Sequence, residues 1–111
     1  MRRTAWMFAA TLAAGPLAGW PVGTAAQQLN DQQLLGMQLF NQSCRVCHTK
    51  PQLTSPLYGP PLSQKSLGGQ ADVMREVIGN GTPRMPGFKH HFQPAQIDAI
   101  VSYLKTMPAQ P

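Results

Sequence analysis

The sequence predicts an all-α fold of three to four short helices, and three observations carry that expectation. Ile97, Ile100, Val101 and Leu104 stand at i, i+3, i+4 and i+7, an amphipathic stripe. Asn30 with Gln33 three residues later reads as a helix start with a capping box. No segment sustains the period-two alternation of a half-buried strand.

The chain has 111 residues, enough for one ordinary domain. Its beginning reads as an export signal. Arg2 and Arg3 give a positive start, Trp6 to Ala18 is apolar and uncharged, and Gly23-Thr24-Ala25-Ala26 precedes Gln27. The expected division is residues 1–26 as a secretory signal and 27–111 as one domain, with cleavage after Ala26 or, second, after Ala25. An uncleaved anchor is the alternative. Against it, Gly15, Pro16, Gly19 and Pro21 interrupt the segment, and its apolar run is shorter than the ~20 residues of a spanning helix. Removing 26 of 111 residues leaves 85. Arg2 and Arg3 leave with the signal, so the remainder keeps seven of nine Lys and Arg against four acids, formally +3. A chain this small buries a modest core and commonly recruits a disulfide, a metal or another aid. It has two Cys in total.

The first helix is expected over Asp31 to Gln42, with Leu29 and Leu34 as a hydrophobic staple. Met37 and Phe40 share a face with Gly36, where close approach of another helix would explain a glycine that costs about 1 kcal/mol relative to Ala. Lys50 to Gly69 holds four Pro and three Gly and reads as an irregular loop. A loop this long is unusual in a small domain unless it wraps something. A helix from about Ala71 to Ile78 follows, with Val73, Val77 and Ile78 as its apolar face and Gly79 as a left-handed end. Asn80 to Pro86 is again irregular. The last helix takes Pro94 in its first turn and stops at Pro108.

Cys44-Arg45-Val46-Cys47-His48 carries the chemistry. On a helical turn, positions three apart share a face, so both thiols can point at one object. Each can add to a vinyl group of a haem and become a thioether, with His48 placed under the ring to bind iron. This five-residue spacing is that of covalent haem attachment. Two alternatives stand beside it. A Cys44–Cys47 disulfide suits an oxidising compartment, but it does not require His48, and no strand-helix-strand pattern surrounds it. A structural zinc site needs a third and fourth ligand, for which His90 and His91 are the candidates, and no second Cys pair exists.

A second axial ligand could come from Met37, Met74, Met85, Met107, His90 or His91. Met37 and Met74 lie within expected helices, where a Met is more often core, and Met107 lies among Pro near the C-terminus. Met85 lies in Gly81-Thr82-Pro83-Arg84-Met85-Pro86-Gly87, a Pro-stiffened stretch that can hold a thioether in place. Met85 is favoured, with His90 or His91 next. A His/Met pair raises the reduction potential and fills both axial sites, which argues against catalysis at the iron.

These motifs resemble those of the class I (monohaem) c-type cytochromes, the small bacterial periplasmic type in particular. Cys44 to His48 matches the attachment motif, and Met85-Pro86 the axial Met with its following Pro. Tyr58-Gly59-Pro60-Pro61-Leu62 is similar to the loop over the proximal His. Gly36 and Phe40 with Tyr103 and Leu104 match the contact between first and last helices. The resemblance implies a small cytochrome c-like fold, its helices wrapped around one covalently bound haem c. It also implies that the backbone carbonyl of Pro60 accepts from the His48 ring, a bond that orients the ligand. Some members place a Trp near the haem propionates. The expected mature part has none, and Tyr58, Gln64 and Arg84 are the candidate substitutes.

The function these readings predict is single-electron transfer by an exported, periplasmic carrier in a respiratory chain, an electron carrier and not an enzyme. A haem relay subunit of a periplasmic dehydrogenase complex is the alternative. A peroxidase or gas sensor would need an open iron site, which Met85 argues against. The expected partners are redox proteins: a dehydrogenase, reductase or oxidase. Arg45, Lys50, Arg84 and Lys89 could form a basic rim for acidic ones. No aromatic-basic pattern supports nucleic-acid binding, and no membrane span is expected once the signal is removed.

Overall fold

The computed structural model of the chain describes residues 28–49 and 56–109, with Gly19 alone before them. The expected signal at 1–26 with its cleavage after Ala26 (Gly19 apart), and the start of the loop including Lys50, lie outside the described residues. Four α-helices follow in order: α1 (Asp31–Ser43), α2 (Arg45–His48), α3 (Ala71–Asn80) and α4 (Pro94–Leu104), with a helical turn at Ser66–Gly69 before α3. Among the described residues no strand forms, and a single antiparallel bridge joins Thr82 to Met85. The all-α expectation holds. No helix among these residues is long and apolar enough to cross a membrane.

Local chemistry starts both long helices. Asn30 Oδ1 accepts from the Gln33 N–H at 2.9 Å, and Gln33 Oε1 accepts from the Asn30 N–H at 3.0 Å. Gln93 and Gln96 make the same reciprocal pair ahead of α4, with Pro94 in the first turn.

Packing then brings the two ends of the chain together. α1 meets α4 more extensively than any other helix pair does. Leu39 and Phe40 of α1 pack with Ile97, Ile100, Val101 and Leu104 of α4, all 8% exposed or less. Gly36 makes this contact tight. A Cβ there would lie 1.9 Å from the Ala99 carbonyl oxygen and 2.9 Å from Tyr103 Cβ, so no larger residue fits without movement. Beside it, the Phe40 and Tyr103 rings meet at 5.6 Å. Arg75 ties α3 to α4 by reaching both Asp72 and Asp98, an exposed link that contributes little.

Four sequence expectations need correction. α3 runs to Asn80, two residues past the expected end. Gly79 stays helical and buried, and Gly81 takes the cap at φ 75°, ψ −170°, a region open essentially to glycine alone. The buried face of α3 is Met74 and Ile78, while Val73 is 37% exposed. α4 ends at Leu104, before Pro108. Bonds from the Thr106 N–H to Tyr103 and from the Met107 N–H to Leu104 tighten the last turn, and the Thr106 hydroxyl donates to the Tyr103 carbonyl. In α1, Leu34 of the expected staple is 40% exposed.

Candidate haem-binding site

Cys44 closes α1, and α2 begins at the next residue. The N–H groups of Cys47 and His48 both donate to the Cys44 carbonyl, at 3.2 and 3.1 Å. One turn therefore fixes the two thiols and the imidazole relative to each other. Cys44 is 7% exposed and belongs to the apolar core, whereas Cys47 faces a cavity together with His48. Both are free thiols. Burial, reinforced by neighbouring Cys47, pushes the Cys44 thiol up to about 11. It is protonated at neutral pH, the opposite of the low thiol pKa that dithiol exchange uses.

The cavity measures about 720 Å³, within the roughly 300–1,000 Å³ typical of ligand pockets. Every element after α1 contributes to its lining. α2 supplies Cys47 and His48, the following loop supplies Tyr58 to Leu62, and the Ser66–Gly69 turn supplies Leu67. Met74, Val77 and Ile78 come from α3, Thr82 and Arg84 to Pro86 from the next loop, and Leu104 from α4.

The wall behind His48 fixes its ring. His48 Nδ1 lies 2.7 Å from the Pro60 carbonyl oxygen. A carbonyl can only accept, so Nδ1 carries the proton and Nε2 keeps its lone pair for a metal. The Gly59 N–H donates to the Cys47 carbonyl at 2.9 Å and holds this loop against α2.

Another part of the lining carries Met85. Thr82 and Met85 exchange two backbone bonds, of 2.9 and 3.1 Å, closing a turn over Pro83 and Arg84. Proline favours that position by presetting φ. Beyond Met85, the Phe88 and Lys89 N–H groups donate to the Ile78 and Gly79 carbonyls, the otherwise unpaired end of α3. Met85 is thus carried on backbone tied at both flanks.

The cavity gathers Cys47, His48, Pro60 and Met85, with Cys44 one turn behind. His90 and His91 are not among its walls. His91 instead packs its ring against Phe92 at 4.7 Å. Of the other methionines, Met74 is buried and reaches the cavity, while Met37 and Met107 are half-buried away from it. Tyr58 and Arg84 line the cavity and Gln64 does not; its N–H donates to the Met107 carbonyl. Arg45, Arg84 and Lys89 are exposed, and Lys89 Nζ donates to Asn80 Oδ1 at 2.9 Å. Sequence reasoning missed Leu67 as apolar lining and gave Leu104 only to the contact between the first and last helices.

These residues suit haem. Its flat apolar ring calls for apolar walls, and its iron for a neutral imidazole nitrogen and a soft thioether. Both are present, beside two thiols on one turn. Among the described residues no group of three or more His, Cys, Asp or Glu is placed to hold a metal ion, so the zinc alternative is not assembled there.

A family model described as cytochrome C oxidase, cbb3-type, subunit III matches residues 31–104. Comparison with curated proteins gave no match.

Proposed function

The chain belongs to the family described as cytochrome c oxidase, cbb3-type, subunit III, a c-type cytochrome domain with one covalently bound haem c, and on that premise we propose that it moves single electrons as a periplasmic carrier. Bound haem supplies a one-electron iron couple. The chain's own residues do the rest. Cys44 and Cys47 hold the group covalently. His48 offers Nε2, oriented by the bond from Nδ1 to the Pro60 carbonyl. Met85 offers its sulfur from another part of the lining. Leu62, Leu67, Val77 and Ile78 keep water from the site. A His/Met pair leaves no open position on the iron, which favours a carrier over an enzyme or a gas sensor.

The observation that carries this reading is that His48 and Met85 line one cavity, with His48 Nδ1 already committed to Pro60. The test is the absorption spectrum of the oxidised holoprotein. The weak far-red band of a Met–iron bond is expected in the parent, absent in Met85→Ala and retained in His90→Ala and His91→Ala. A parent without that band, or a band lost with either histidine, overturns the assignment.

The proposed setting is the periplasm. Supporting it are the order of charge, apolar stretch and small residues in 1–26. The proposed partners are redox proteins, met by a basic rim of Arg45, Lys50, Arg84 and Lys89. The family description favours a second reading, a haem relay subunit of a larger respiratory complex. Size separation of native extract decides between them. A free carrier elutes at its own mass, and a subunit elutes with a larger catalytic partner.

A further inference from the structure

Arg84 is a charge with an aromatic partner and no acidic one. Among the described residues, the ion pairs belong to Arg75. The Arg84 guanidinium carbon sits 5.0 Å from the centre of the Tyr58 ring. A cation within about 6 Å of a ring face is attracted to it. The two residues come from different segments of the lining: Tyr58 from the loop that carries Pro60, Arg84 from the turn that carries Met85. Their contact therefore joins the His48 side of the cavity to the Met85 side.

We propose that Arg84 and Tyr58 form a clasp that holds the Met85 turn against the loop that carries Tyr58 and keeps small nitrogen bases from reaching the iron. They are positioning residues, and the proposal rests on Met85 as axial ligand. The Thr82–Met85 turn is closed by two backbone bonds, so it moves as a unit. Opening it far enough to withdraw the Met85 sulfur separates Arg84 from Tyr58. Each opening is opposed by the strength of that contact. Tyr58 is 59% exposed, so the contact is of the exposed kind and shifts the opening equilibrium by about two- to fivefold.

The experiment is imidazole binding to the oxidised holoprotein, followed by loss of the far-red Met–iron band. At a pH about two units above the ordinary imidazole value the ligand is neutral, so removing a charge does not alter its attraction to the site. Arg84→Gln and Tyr58→Ala should each raise the binding rate about two- to fivefold. Tyr58→Phe keeps the ring face and should bind at the parent rate. The Arg84→Gln/Tyr58→Ala double variant should be no faster than either single one, because both remove the same contact. Unchanged rates in both single variants overturn the clasp. So does an effect of Arg84→Gln alone, which assigns that side chain to a haem propionate, or a Tyr58→Phe as fast as Tyr58→Ala, which assigns the hydroxyl. A parent lacking the band overturns the Met85 ligand itself, a result distinct from a parent with the band and variants with unchanged rates.

Discussion

The two sides of α4 differ in how complete they are. Towards α1, Ala99 and Ile100 are fully buried and Val101 is 3% exposed, with Gly36 allowing backbone contact. Towards the cavity, Leu104 and the α3 residues Val77 and Ile78 face about 720 Å³ of apolar-walled space. Leu67, in the same lining, is 47% exposed. The helix pair satisfies itself through residues four apart on two helices. The other side joins residues already buried in that core, Ile78 and Leu104, to open apolar lining such as Leu67. A haem would supply the apolar surface that the open lining lacks, so part of this small core is prosthetic group.

The strongest challenge to that comparison removes the haem. The Cys44→Ala/Cys47→Ala variant, produced without haem, is expected to lose its cooperative thermal transition in circular dichroism and calorimetry. A cooperative, native-like melt would show that the α1–α4 contact sustains the fold alone. A smaller effect probes the finished side. Ile100→Ala in the holoprotein should cost about 2–5 kcal/mol by denaturant titration, because a fully buried side chain leaves a cavity. A loss below about 1 kcal/mol would mean that the haem, and not the helix pair, dominates stability. The smallest effect comes from Gly36→Ala. Overpacking costs about 1–3 kcal/mol, and the gain in helix propensity returns about 1. The clash is with backbone, so the upper end of that cost applies and the net loss should be about 2 kcal/mol, with the Met–iron band unchanged. A stabilised variant would show that the helices separate freely.

Reading the sequence was reliable where a signal is local. The Asn30–Gln33 box, the stripe from Ile97 to Leu104 and the Cys44–His48 motif each lie within a few residues, and each is found in place. It failed where a distant contact decides. Both Gly79 and Gly81 could end α3. The choice falls on Gly81 because the returning Met85 loop packs over it, where a Cβ would lie 2.4 Å from the Met85 carbonyl oxygen. Val73 and Met74 are neighbours in sequence, and tertiary packing selects Met74 for the core. The Gln93–Gln96 box went unread because glutamine is a poor advertisement for a cap. The cavity lining from Leu67 was illegible, since an irregular loop has no period to read.

Cys44 carries a consequence for manufacture. Its sulfur sits inside the core formed by α1 and α4, 7% exposed, and burial keeps it protonated. In the folded chain little of it is open to an incoming reagent. On the proposed attachment, the bond at Cys44 must be made while the two ends of the chain are still apart. Ligation would then come before closure, and whatever delivers the haem would handle an open chain.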